Sequence, residues 1–435
     1  MIRRFLVSAC LVLFLAPATY SQAPNSTDGA ELKFVVYLSR HGVRSPTGKP
    51  SQYNVYSVAP WPAWNVPPGY LTAHGYRLME LFGAYDRIEL AKEGLLSESG
   101  CKDASNITFY ADSDQRTQET GRALAAGLFP GCIIPVQSLT EGTNDPLFHP
   151  VPANLGYVNS SLAVSAIAGR IGNSPESLTE AHRAQLAFLD KLLATCGVSA
   201  SLQQKRTSLF EIPATLAPGN GDHLAELRGP LNIASTLTEN LLLEYAEGID
   251  VSNIGWGCVD GATLRSLMNL HTAASDFTQR TPEIARIQAS NLLDQIHRAL
   301  EHAVTHQSIQ GTLGKPTCRA LFLIGHDTNI SNIAGLLNMT WIVDGRRDDT
   351  PPGGALIIEL WKNRKSEDYS VHLYYTAQTL EQMRSTATLS PTNPPQRAPI
   401  FLPDCSNEDF SCTWPEFSNA ILRAIDPRYV SLRSK

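Results

Sequence analysis

Two hydrophobic periods alternate along this chain. Short continuous apolar runs, rich in β-branched and aromatic residues, occur at 33–39, 107–111, 320–324, 355–361 and 371–375. Runs of that length bounded by turn residues read as buried strands. Between them the apolar spacing changes to three and four. A helix is predicted over 71–93 with Thr72 as its cap, another over 114–128 with a small-residue face and Gly127 near its end, and a third over 281–303 with Pro282 in its first turn. Strands interleaved with helices predict an α/β fold, a mixed central sheet flanked by helices. From 152 to 257 no convincing strand is seen. Helices are expected over 177–195 and 231–247, with ATLAPGNGDH between them as a loop. The expected organisation is an α/β domain made of 31–151 and 258–435, interrupted by an all-α cap at 152–257.

The N-terminus, MIRRFLVSACLVLFLAPATYSQAPNS, changes the picture of where the chain works. Arg3 and Arg4 precede an apolar run, and Ser21-Gln22-Ala23 is a small-residue exit. This is the pattern of a signal peptide over 1–23, too short to span a bilayer comfortably. A periplasmic or secreted protein with no membrane anchor after processing is expected. Export permits disulfides. Removing Cys10 leaves cysteines 101, 132, 196, 258, 318, 405 and 412, an odd set with no CxxC pair and no zinc pattern. The net charge of −6 offers no global field for nucleic acid. A monomer acting on a small molecule, without a metal or other cofactor, is expected, and an anionic ligand would need a local cluster of cations.

Such a cluster is visible at strand ends. FVVYLSRHGVRSPT (34–47) carries Arg40, His41 and Arg44 out of the first strand. ALFLIGHDTN (320–329) ends its strand on His326 and Asp327, and in ITFYADSDQRTQET a strand ends near Asp112 with Arg116 opening the next helix. Ligands of α/β sheets bind at the carboxyl ends of the strands. Three Arg, two His and one carboxyl group suit a phosphate monoester, because guanidinium forks match phosphate oxygens and stay charged. His41 between cations should be neutral and nucleophilic. Asp327 is the candidate proton donor, and His326 a candidate phosphate ligand. Gly42 is expected to let the backbone approach the ligand closely. HGYR at 74–77 copies part of the first motif but reads as the first turn of a helix. GNGDH at 219–223 reads as a loop with no phosphate role.

Arg-His-Gly-x-Arg-x-Pro at 40–46, GHDTN at 325–329 and ADSDQRTQETGRALAAGLFP resemble the histidine acid phosphatases, over nearly the whole exported chain. Within that family the chain is most similar to the bacterial phytase, acid phosphatase and glucose-1-phosphatase group. The resemblance implies a phosphohistidine on His41, phosphate held by Arg40, Arg44, Arg116 and His326, and Asp327 as donor. It also implies that Glu239 faces the substrate, that Thr47 lines the pocket, and that Cys101/Cys132 and Cys405/Cys412 are disulfides. Two positions depart from the phytase pattern. Gly48, followed by Lys49, stands where phytases carry Lys directly after the Pro-Thr, and Thr236 where they often carry Met. Two other classes compete with a phosphatase, a non-catalytic phosphate-binding protein and a metal-dependent hydrolase using His41, His326 and Asp327; within the phosphohistidine reading, a mutase or phosphotransferase is open. Arg40 and Arg44 would repel a dication.

Overall fold

The computed structural model describes residues 29–197 and 205–431. The expected signal peptide lies outside the described residues. β1 (Ala30–Arg40), β2 (Ile107–Ala111) and β3 (Val136–Gln137) come first. β4 (Thr215–Pro218) and β5 (Ala225–Arg228) pair only with each other, as do β7 (Ile342–Val343) and β8 (Arg346–Arg347), on either side of β6 (Ala320–Gly325). β9 (Ala355–Asn363), β10 (Tyr369–Ala377), β11 (Gln396–Pro399) and β12 (Ser411–Thr413) follow.

The central sheet runs β11-β10-β9-β1-β6-β2-β3, with β12 also pairing β10. β1, β6, β2 and β3 are parallel, and β9 and β10 are antiparallel to their neighbours. All five strands expected in the sheet are present. β1 alternates its side chains between two cores. Phe34, Val36 and Leu38 join Leu321, Leu323 and Leu292 on one face, while Val35 and Tyr37 join Phe322, Phe82 and Leu124 on the other. A central strand covered on both faces is therefore continuously apolar through its middle, Phe34 to Leu38, as its sequence is.

The helix Ala73–Lys92 begins where expected, with Thr72 accepting a hydrogen bond from the Gly75 amide at 2.8 Å. His74 and Arg77 are first-turn residues of it, directed to the Met383 carbonyl and to Glu80. The small-residue face of Gln115–Leu128 packs against this helix. A Cβ on Gly127 would stand 1.9 Å from the Glu80 carbonyl oxygen. Pro282 opens the helix Pro282–Thr305.

The segment 152–257 is not all helical. Its expected loop, 214–223, forms β4 and the turn of a hairpin that β5 completes; β4 is largely solvent-facing, and β5 buries only Ala225 and Leu227, so strands of four residues each give too short a pattern to announce them. The helix expected over 177–195 is two, Glu176–Ala181 and Arg183–Thr195, hinged at His182. The apolar cluster of this region continues past 257, through Leu264, Leu267 and Leu270 to Ile287.

Cys101–Cys132 and Cys405–Cys412 are bonded. Cys196–Cys258 is a third disulfide, which the sequence did not assign, and Cys318 is the free thiol among the described residues. It closes a loop of 62 residues, worth about 4 kcal/mol on the chain-entropy account. A Cys196→Ser/Cys258→Ser variant should lose about 2–4 kcal/mol in denaturant melts with kcat unchanged. An unchanged midpoint would show that the bond adds nothing.

Candidate active site

The sheet register brings the predicted residues together. Arg40 pairs with Gly325, and Ala111 with Ile324, so β1, β6 and β2 end at one edge. Antiparallel β9 starts there, with Ala355 opposite Ser39. Arg40, His41, Arg44, Arg116 and His326 converge on this edge with Asp327.

Arg40 is fully buried. Its guanidinium pairs with Glu239, lies 3.4 Å from Asp327 Oδ2, and donates to the Thr350 carbonyl at 2.6 Å. Arg44 reaches Glu239 Oε1 at 3.6 Å. Arg116 pairs with Asp114 at 2.5 Å and lies 3.4 Å from His326 Nδ1. The Nε atoms of Arg40, Arg44 and Arg116 are all buried and take no hydrogen bond in the chain. Two buried guanidiniums and the partly buried Arg116, each with an unused donor, form an anion site, since such groups cost free energy unless paired.

His41 is buried and its ring centroid is 5.6 Å from that of His326. Its Nδ1 is 2.9 Å from the Gly42 carbonyl oxygen, which can only accept. Nδ1 therefore carries the proton and Nε2 keeps a lone pair. Burial first, then the charges of Arg116, Arg40 and Arg44, hold the imidazole pKa well below its ordinary value. The flanking arginines suggested this effect; burial and the distant Arg116 exceed them. Gly42 does not serve close ligand approach. A Cβ there would meet Met79 at 2.8 Å and the Gly75 carbonyl at 3.1 Å, so the glycine allows packing on Ala73–Lys92.

His326 caps the helix Asp327–Leu336, and its Nε2 is 2.6 Å from Asp112 Oδ2. Burial would raise the Asp327 carboxyl, but Arg40, His271 and Arg44 outweigh it and hold the carboxyl below the usual range. Glu239 behaves alike. It stands in the helix Pro230–Ala246, and its Oε1 is occupied by the arginines. Thr47 is exposed at the rim. From the point where a Cβ on Gly69 would stand, Thr47 Cγ2 is 3.7 Å away and Arg116 Nη1 3.6 Å.

The sequence reading missed four neighbours. His271 Nε2 lies 4.0 Å from Glu239 Oε2, and Asp112 joins His326 to His149. His149 in turn meets Asp222, from the GNGDH loop that is expected to have no phosphate role. Asp112 stood at a recognised strand end, which was a usable signal. His149, His271 and Asp222 had none. Asp112, Asp114, His149 and His326 offer ligand-type atoms within 4.8 Å of one another. Their short contacts are hydrogen bonds and ion pairs, and Arg116 at 2.5 Å from Asp114 opposes a dication there.

The comparisons with known proteins decide the family. The model of the histidine phosphatase superfamily (branch 2) matches residues 31–376. The chain belongs to this superfamily. It is 34% identical to phytase AppA of Escherichia coli (strain K12), over 97% of this chain and 99% of that protein. It is 28% identical to a glucose-1-phosphatase of Providencia rettgeri, over 97% and 98%. The apo Hafnia alvei phytase superposes with a TM-score of 0.85 at 33% identity, covering 94% of this chain and all of that one. The Citrobacter braakii phytase gives 0.83 at 35% identity, covering 92% of this chain and 100% of that one. As a branch 2 histidine phosphatase the protein is an enzyme that hydrolyses phosphate monoesters, and nothing supports a non-catalytic binding protein. Among the described residues no helix is long and apolar enough to cross a membrane.

Proposed function

We propose a metal-independent acid phosphomonoesterase, working in the periplasm or outside the cell as a monomer, through a phosphohistidine on His41. The observation that carries this reading is a neutral imidazole, its Nδ1 tied to the Gly42 carbonyl, among the buried guanidiniums of Arg40 and Arg44 and the partly buried one of Arg116, each with an unused Nε donor. Nε2 attacks phosphorus while Arg40, Arg44, Arg116 and His326 hold the non-bridging oxygens, which leaves positioning and charge as the main catalytic terms. Asp327 protonates the leaving oxygen. The anionic substrate offsets the guanidinium charges that depress Asp327, and so raises its carboxyl toward the range of an acid. Water then attacks the phosphohistidine, with Asp327 as base. The insertion 152–257 is read as a cap that supplies Glu239. Cys101–Cys132, Cys405–Cys412 and Cys196–Cys258 brace the exported chain.

The substrate we propose is a small monoester, such as a sugar phosphate, rather than phytate by preference. The Gly48 amide donates to Tyr53 Oη at 2.8 Å, and a Cβ on Gly48 would stand 2.3 Å from that oxygen. Gly48 itself offers no cation at the rim, where Thr47 is exposed; the lysine follows one position later, as exposed Lys49. The test compares kcat/KM on phytate, glucose 1-phosphate and p-nitrophenyl phosphate with EDTA present. All three should be hydrolysed, with phytate not leading. A preference for phytate of about tenfold or more (1.4 kcal/mol) would overturn the substrate reading, and a requirement for added metal would overturn the mechanism.

Acid conditions also suit the fold. Burial pushes the Glu244 carboxyl up to about 7, against a hydrogen bond from the Gly255 amide. A raised carboxyl contributes no penalty below pH 4.5, and the fold loses stability as pH rises from there to 7, by about 3 kcal/mol. Glu244→Gln should therefore match the parent at pH 4 and exceed it by about 2–3 kcal/mol at pH 8. Equal urea midpoints at pH 8 would contradict this.

A further inference from the structure

The catalytic reading leaves one partly buried cation unused. His149 lies on the loop after β3, with Nε2 2.9 Å from Asp112 Oδ2 and Nδ1 2.9 Å from Asp222 Oδ2. Carboxylates only accept, and a neutral imidazole has a single N–H. Satisfying both contacts requires the imidazolium, which donates from both nitrogens. Burial works against that charge, yet Asp112 and Asp222 hold the group up to about 10.

Asp112 is fully buried at the end of β2. Its Oδ1 has no hydrogen bond, so its orientation rests on Oδ2, which takes His149 at 2.9 Å and His326 at 2.6 Å. Asp222 lies in the turn between β4 and β5, where Gln288 Nε2 donates to its carbonyl at 2.6 Å. One line of charge-assisted hydrogen bonds thus runs from the hairpin turn through His149 and Asp112 to His326. The other nitrogen of His326, Nδ1, is the one 3.4 Å from Arg116; with Nε2–H spent on Asp112, it takes up a proton in order to donate to a phosphate oxygen.

We propose that His149 is a positioning residue for phosphate binding: it pins Asp112 from the side opposite His326, so that the His326 ring presents Nδ1 to the anion site, and it makes docking of the β4–β5 turn through Asp222 part of assembling that site. The proposal rests on the reading of His326 as a phosphate ligand. Without His149, Oδ2 keeps a single donor, and the carboxylate can rotate with the imidazole attached to it.

The experiment measures kcat and KM for p-nitrophenyl phosphate, and Ki for inorganic phosphate, in His149→Asn, Asp222→Asn, Asp222→Glu and His326→Ala, with thermal melts as a check on folding. His149→Asn and Asp222→Asn should raise KM and Ki together by about 10–150-fold, the size of one lost charge-assisted hydrogen bond, with kcat within about threefold. Asp222→Glu should restore most of the loss. Half-exposed Asp222 keeps the proposal testable if His149→Asn fails to fold. Folded variants with parental KM and Ki would overturn it, as would a fall in kcat or melting temperature with Ki unmoved. If His326→Ala leaves phosphate Ki unchanged, the reading of His326 as a phosphate ligand fails instead.

Discussion

His41→Ala should abolish turnover, with kcat/KM falling by about 10⁴-fold or more, as when a covalent nucleophile is removed. The loss follows from position and protonation together. His41 lies where β1 ends, its Nδ1 spent on the Gly42 carbonyl, and only Nε2 is left to attack. Burial and the three arginines keep that nitrogen unprotonated far into acid, so the nucleophile survives at pH values where an ordinary histidine would be cationic. Rapid quenching under alkaline conditions, with labelled substrate, should find phosphate on the parent protein and none on the variant. The anion site remains in the variant, so inorganic phosphate should still raise its melting temperature. Retained turnover, or label on another residue, would remove His41 from the reaction.

Asp327→Asn should separate substrates by leaving group. The transfer state is loose, and charge gathers on the departing oxygen. A sugar alkoxide needs a proton to leave; p-nitrophenolate does not. The variant should lose about 10²–10⁴-fold on glucose 1-phosphate and far less on p-nitrophenyl phosphate. The same pair of groups sets the pH profile for alkyl esters. In the free protein the carboxyl is held low by Arg40, His271 and Arg44, so it is ionised until substrate arrives. Activity should fall as pH rises through the carboxyl pKa of the complex, and persist toward acid because His41 is still neutral. The variant should lose the fall at high pH. Equal losses on both substrates would make Asp327 a support for His326 and move the search for the donor to Glu239.

Much of this was legible because it is local. Each central strand is a short apolar run, and its motif follows directly: Arg40-His41 after β1, His326-Asp327 after β6, Asp112 after β2. Parallel pairing then brings those ends to one edge, a consequence of topology that strand ends alone suggest. Caps such as Thr72 and the Pro282 start are likewise written in a few adjacent residues.

Partnerships between distant residues were decided by the tertiary structure alone. Glu239 and Arg40 are 199 positions apart, and His326 and Asp112 are 214 apart. Neither spacing leaves a periodic trace, and a carboxylate meant for an arginine looks, in sequence, like one meant for solvent. The β4–β5 hairpin escaped because its strands are four residues each: β4 is mostly exposed, and β5 buries only Ala225 and Leu227, too short an alternation to read. Cys196–Cys258 and the unpaired Cys318 depend on which chain segments pass within bonding distance, which the count of cysteines cannot supply. The residue types at the strand ends determined the chemistry available. The fold decided which charges are paired, which are left unpaired for a phosphate, and that the nucleophile between them is neutral, because burial and long-range proximity set those energies.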